Sequence, residues 1–335
     1  MNVGLIGAGR IGRIHAENIS VHVPRVKITR IADIAADKVR DWARGIGVSQ
    51  VSASARDVLE DPDIGAVIVC SSTDTHADMV SAAAARGKHI FCEKPVDLTV
   101  AKVKKALADV RKAGVKIQVG FNRRFDHNFR RIRDLVQQGA IGDPHILRIT
   151  SRDPAPPPLE YVKVSGGIFL DLTIHDFDMA RYVTGSDAVE VYAKGAVLVD
   201  PSIGKAGDVD TAVVTITFAN GCLGVIDNSR RATYGYDQRV EVFGSKGALA
   251  CGNDTPSSVT LSNDSGVAGD KPLYFFLERY RQAFIDEMNA FFDVVLDGKP
   301  SPVGDIDGLK PLLMAFAAKK SVAEGRPVKI SEVDG

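Results

Sequence analysis

Surplus charge is the first thing this chain lacks. Its 335 residues hold 42 Lys and Arg against 42 Asp and Glu, a formal net charge of +0. That balance gives no electrostatic reason to expect nucleic acid or an anionic membrane as partner. Cysteine is scarce: Cys70, Cys92, Cys222 and Cys251 lie far apart with no CxxC pair. That spacing argues against a zinc knuckle and a disulfide framework. Cys70, in an apolar run, reads as a small buried residue. The seven histidines do not gather at ligand spacing, so no metal site is expected. No apolar run reaches the length of a membrane span. Internal repeats and low-complexity tails are missing too. Met1 leads straight into a strand-like run, so no secretory leader is expected, and a reducing cytoplasm is the expected compartment.

What is present is ordinary in bulk, 45% hydrophobic and 25% charged, and long enough for two domains. Asn2 to Gly7 reads as a buried strand running into Gly7-Ala-Gly9-Arg10-Ile11-Gly12 and then a helix. This is GxGxxG with strand before and helix after. Gly7 serves the tight turn, Gly9 the approach of a pyrophosphate, and Gly12 close helix–strand packing. The helix start offers N–H groups to the phosphates. A second strand, 26–32, ends on Asp33, roughly 20 residues past the last glycine, where an acid suits the ribose hydroxyls. Asp33 repels a 2′-phosphate and Ile34 offers no cation, so NAD is favoured over NADP; Lys38 is the one nearby group that would soften this. The alternative is that Asp33 only caps a helix.

The run 66–72 is a continuous apolar strand, as in a parallel sheet covered on both faces. It opens into Thr73-Asp-Thr-His76, where His76 is either a helix-capping residue or a cofactor contact. A strand 88–92 ends in Glu93-Lys94-Pro95. Lys94 sits where chemistry can occur in such sheets, at a turn whose Lys–Pro bond can be cis; the alternative is a surface lysine at a strand–loop junction. A helix over 100–114 and a strand over 116–120 follow, the latter leading into Phe121-Asn122-Arg123-Arg124.

Beyond a helix near 127–138 the alternation of strand and helix stops. A stiff loop holds Asp153 and a run of prolines. A helix over 168–184 carries Asp171 and His175 four residues apart, hence on one face. An imidazole beside a carboxylate suits proton transfer near neutral pH, although acids also favour helix starts for the dipole alone. Strands dominate from 189 to 262, with Asn220-Gly221 as a hairpin turn. They predict an antiparallel sheet with helices on one face. Helices over 277–296 and 309–323 close the chain, the second with Asp307 as its cap.

In order, Gly7-x-Gly9-x-x-Gly12, Thr73-Asp-Thr-His76, Glu93-Lys94-Pro95, Gly120-Phe-Asn-Arg-Arg124 and Asp171-x-x-x-His175-Asp176 resemble the Gfo/Idh/MocA oxidoreductase family across nearly the whole chain. The resemblance implies an N-terminal α/β Rossmann domain, 1–121, and an α+β domain, 122–335, with a large, mostly antiparallel open-faced sheet for substrate binding and oligomerisation. It implies NAD as cofactor, with Gly7, Gly9, Arg10, Ile11, Gly12, Asp33, Ile34, Ser71, Thr73, His76, Glu93, Lys94 and Asn122 about it. Lys94, Asp171 and His175 would be catalytic: His175 takes the hydroxyl proton, Lys94 stabilises the oxygen, and Asp171 holds the geometry. Arg123, Asp153 and Tyr236 would join them on the substrate.

Within the family, 150–154, 171–181 and 228–239 are most similar to bacterial inositol dehydrogenases. This implies oxidation of myo-inositol to 2-keto-myo-inositol by a homotetramer. Ser151-Arg-Asp-Pro154 departs from the His-Arg-Asn-Pro of some of those enzymes, which leaves scyllo- and chiro-inositol open. The other readings are a pyranose sugar dehydrogenase and an NAD-binding regulator without turnover; regulators of this kind are expected to lack the lysine or the histidine.

Overall fold

The structure is a computed structural model and describes residues 1–334. The chain divides into two compact units. The first comprises Met1–Phe125 and Gln282–Lys310, the second Asp126–Arg281 and Pro311–Gly335. The segment 282–310, which the sequence reading placed with the C-terminal part, thus belongs to the first unit.

The first unit is built on a six-stranded parallel sheet: β1 (Asn2–Ile6), β2 (Lys27–Ala32), β3 (Gln50–Ser52), β4 (Ile64–Val69), β5 (His89–Glu93) and β6 (Ile117–Gly120). Its order, β3-β2-β1-β4-β5-β6, is that of a doubly wound dinucleotide fold. Besides the single helical turn Arg56–Leu59 between β3 and β4, four helices connect these strands: α1 (Arg10–His22), α2 (Ala36–Gly45), α3 (Thr73–Ala84) and α4 (Val100–Ala113). Left-handed Gly114, φ 67°, stops α4. Val3, Leu5, Ile31, Ile68 and Phe91 form a core that Met288, Phe291 and Phe292 of the Arg281–Leu296 helix complete. Those three recur on one helical face, which is why this late segment packs with the first unit.

In the second unit, α5 (His127–Gln137) starts on Asp126, whose carboxylate accepts from the amides of Asn128 and Phe129. β7 (Pro144–Arg152) is followed by α6 (Ile168–Asp171) and α7 (Thr173–Thr184). Then come β8 (Ala188–Ala196), β9 (Thr211–Phe218), β10 (Leu223–Ser229), β11 (Asp237–Gly244) and β12 (Gly247–Cys251). With Val328–Lys329 they make one seven-stranded sheet, order β12-β11-β7-β10-β9-β8 and then Val328–Lys329. All pairs are antiparallel except β7 with β10. Gly221, φ 86°, forms the β9–β10 hairpin with Asn220. Burial alternates along β9, β10 and β11, so one face is covered and the other open.

Two helices differ from expectation. The predicted 168–184 helix is broken at Leu172 into α6 and α7. The Thr173 hydroxyl turns inward, donating to the Asn228 side chain at 2.7 Å and lying 3.2 Å from the Ile168 carbonyl oxygen, so it competes with the helical ladder. The last helix runs Asp305–Glu324, placing Asp307 inside its first turn rather than at the cap. There its carboxylate takes the Gly304 amide and the Arg124 guanidinium.

Candidate active site

The glycine turn is shaped by backbone crowding. Gly7 has φ 90°, and a Cβ there would lie 2.5 Å from the Cys70 and Ser71 backbone. A Cβ on Gly12 would overlap the Gly7 carbonyl, whereas one on Gly9 would meet nothing within 4 Å. The tight positions are therefore fixed by the protein, and the open one faces the space a pyrophosphate needs. The first turn of α1, with Arg10 and Ile11, has no acid and presents its amides there. Asp33 Oδ2 accepts from the Ala8 amide and Oδ1 from the Ala35 amide, both at 2.8 Å. It thus ties the end of β2 to the glycine turn instead of serving only as a cap. Ile34 is 96% exposed beside it. These residues fit NAD.

At the carboxyl end of β4, the Ser71 and Thr75 hydroxyls hydrogen-bond at 2.7 Å, with Thr73 opening α3. His76 is buried, and its two ring nitrogens lie 2.9 Å from the carbonyls of Ser71 and Pro95. His76 thus clamps two loops, its ring N–H donating to one of these carbonyls. The Lys94–Pro95 bond held by this clamp is cis.

Lys94 is half-buried just past β5. Glu93, expected on the cofactor, turns inward. Its Oε1 accepts from His15 Nε2 at 2.7 Å, and its Oε2 from the Lys94 amide at 3.2 Å. Asn122, Arg123 and Arg124 form a buried single-turn helix after β6. Arg124 is spent on Asp307, at 2.7 Å, and on the Pro302 carbonyl, at 2.9 Å.

In the second unit, Gly166 and Gly167 have φ 85° and 88° and lead into α6. Asp208 caps that helix by accepting the Ile168 amide, and a Cβ on Gly167 would lie 2.7 Å from its carboxylate. Asp171 ends α6, and His175, half-buried, lies in the first turn of α7. The Asp171 carboxylate is engaged on both sides. Tyr161 donates to Oδ1 at 2.8 Å and Arg230 Nη1 to Oδ2 at 2.9 Å. Arg230 also reaches Asp153 at 3.3 Å. Burial opposes the Arg230 charge, but Asp171 and Asp153 outweigh it and hold the guanidinium above its usual range. Burial, then the neighbouring Asp171, pushes the Tyr161 phenol up, so it stays a donor.

Neither Tyr161 nor Arg230 was singled out from the sequence; Arg230, in the 228–239 stretch, was the more visible of the two. The backbone carbonyl of Asp153 also holds the loop, accepting from the Ala232 amide at 2.6 Å. The Tyr236 ring is buried edge-on against Tyr280, centroids 6.0 Å apart. Ser151 is buried and donates to Gln238 at 3.0 Å, so the residue that departs from the inositol dehydrogenase pattern is tied into the sheet.

The family model for the oxidoreductase family with an NAD-binding Rossmann fold matches residues 1–121, and the GFO/IDH/MocA C-terminal domain matches 129–250. Myo-inositol 2-dehydrogenase of Thermotoga maritima is 52% identical over 335 residues, all of both chains. The crystal structure of a probable dehydrogenase from Thermotoga maritima superposes with a TM-score of 0.97 at 52% identity, covering 99% of this chain and 100% of that one. Scyllo-inositol dehydrogenase from Lactobacillus casei, solved with NAD(H) and scyllo-inositol bound, has a TM-score of 0.92 at 31% identity over 99% of each chain.

Proposed function

The chain belongs to the GFO/IDH/MocA oxidoreductase family, and on that premise we propose that it oxidises the 2-hydroxyl of myo-inositol, yielding 2-keto-myo-inositol, with NAD as acceptor. The observation that carries this is the 52% identity with a myo-inositol 2-dehydrogenase along the full length of both chains. Bound NAD supplies the hydride acceptor. His175 accepts the hydroxyl proton as general base. Lys94 donates to the same oxygen and stabilises its developing negative charge. Asp171, held by Tyr161 and Arg230, fixes the charge and geometry around them. Arg123 and Asp153 contribute polar contacts to the ring hydroxyls.

A second reading is scyllo-inositol as the preferred isomer, favoured by the ligand of the Lactobacillus casei neighbour. NAD reduction measured side by side with myo-, scyllo- and chiro-inositol and with glucose tests both. Myo-inositol is expected to give the highest kcat/KM. A higher value for scyllo-inositol selects the second reading, and a higher value for glucose than for any inositol ends the inositol assignment.

We assign the protein to the cytoplasm, in keeping with its four free thiols. No helix among the described residues is long and apolar enough to cross a membrane. The open sheet face exposes Val213, Leu223, Val225 and Phe243. An apolar face of this kind favours association, and we assign it to a homotetramer, a state that light scattering reads directly.

A further inference from the structure

Three titratable side chains far apart in sequence meet inside the first unit. They are His15 on α1, Glu93 at the end of β5 and Glu287 on the Arg281–Leu296 helix. Their ligand atoms lie within 4.8 Å of one another. His15 and Glu287 are both 0% exposed, and neither carboxylate oxygen of Glu287 has a hydrogen-bond partner. The surroundings are apolar. The His15 ring packs edge-on against Phe91 and Phe284, with centroids 4.9 and 5.7 Å away. Gly120 backs onto Glu93, and a Cβ there would lie 2.9 Å from its carboxylate. The Gln118 amide fixes the helix by donating to the Glu287 carbonyl at 2.9 Å. The thiols of Cys70 and Cys92, both pushed up by burial, also border the cluster.

Two carboxylates in one dry pocket do not both ionise, because each loses its hydration and repels the other. The placement of donors decides which one carries the charge. Glu93 receives the His15 Nε2–H and the Lys94 amide. Glu287 receives nothing. Burial, then the Glu93 charge, pushes the Glu287 carboxyl well above its usual range.

We propose that Glu287 is held as the neutral carboxylic acid and is a positioning residue for Lys94, acting through Glu93. With Glu287 neutral, Glu93 is the single anion of the cluster, so its two oxygens stay on His15 and on the backbone N–H of Lys94. An ionised Glu287 pushes Glu93 off these donors and loosens the turn that aims the lysine. An empty space gives Glu93 room to move, with the same result. A bound metal cation is the competing way to neutralise the pair. The proposal rests on Lys94 acting in the reaction assigned above.

The test uses the full-length protein with NAD and myo-inositol. The infrared difference spectrum between wild type and Glu287→Gln at neutral pH is expected to show a protonated-carboxyl C=O band, sensitive to deuterium exchange, that the variant lacks. Glu287→Ala is expected to lower kcat about tenfold or more through misplacement of Lys94, with NAD affinity unchanged. Glu287→Gln, neutral and of the same shape, is expected to restore kcat to within about threefold of wild type. Absence of the band, stoichiometric metal in the purified protein, or wild-type kcat in Glu287→Ala each overturns the proposal. If Glu287→Ala fails to fold, the band and the Gln variant still decide: a Gln variant that binds NAD but loses kcat about tenfold refutes the neutral acid as the working form. A wild-type protein inactive on inositols but showing the band fails the functional assignment alone.

Discussion

Glu287→Gln makes a stability prediction that can be worked from burial and neighbours. The folded-state carboxyl of Glu287 titrates well above its ordinary value, first because it is buried and second because Glu93 is charged. In the unfolded chain it returns to about 4.3. Between those two values the native state holds one more proton than the unfolded state, and that proton belongs to the Glu93–Glu287 pair. Unfolding therefore releases a proton, and wild-type stability falls as pH rises. The slope is about 1.4 kcal/mol per pH unit for one proton. Glutamine has nothing to titrate and escapes that slope. Its amide replaces the acid's single O–H with two buried N–H donors, and a donor left unmet is a pH-independent cost of about 1–3 kcal/mol. The sign of the difference at one pH thus decides nothing; its change with pH does. From pH 6 to pH 8 the variant is expected to gain stability on wild type, by at most about 2.7 kcal/mol, the product of two pH units and that slope. Chemical denaturation at pH 6, 7 and 8, with the transition of the first unit followed, reads this gap. A gap that stays constant, or that moves in favour of wild type, refutes the neutral-acid assignment.

The other predictions concern the assigned site. Tyr161→Phe removes a donor from Asp171, and a hydrogen bond to a charged group contributes about 1.5–3 kcal/mol. It is expected to lower kcat by about tenfold, with NAD affinity intact by titration calorimetry. Lys94→Ala is expected to abolish turnover while NAD still binds; unchanged turnover removes Lys94 from the mechanism. Gly9→Ala is expected to leave the melting temperature without cofactor near that of wild type, since a Cβ there meets nothing within 4 Å, yet to weaken NAD binding. Gly12→Ala is expected to lose both, because its Cβ overlaps the Gly7 carbonyl. Equal effects from the two glycine variants count against the pyrophosphate reading of Gly9.

Elements governed by short-range rules were legible before any coordinates. The glycine turn, the apolar parallel strands, Asp33 after β2 and the Asn220–Gly221 hairpin all follow from backbone freedom and periodicity over a few residues. The break between α6 and α7 puts Asp171 at the end of one helix and His175 in the first turn of the next. The interruption itself could not be read, since it depends on the Thr173 hydroxyl meeting Asn228, 55 residues away.

Side-chain pairing across the fold was decided only by tertiary structure. Arg230 reaches Asp171 across 59 residues, and His15 reaches Glu93 across 78. Neither leaves a local signature, because each pairing depends on strand register and helix packing. For the same reason the intramolecular partners of Glu93 and His76 were invisible in the sequence. A strand end says where a residue starts; which way its side chain goes is settled by the donors and acceptors that packing brings beside it. Sequence alone determined the nucleotide fold and proposed the catalytic trio. Packing determined what holds two of the three in place, because unpaired charges and polar groups in a dry interior must find partners wherever the chain can supply them.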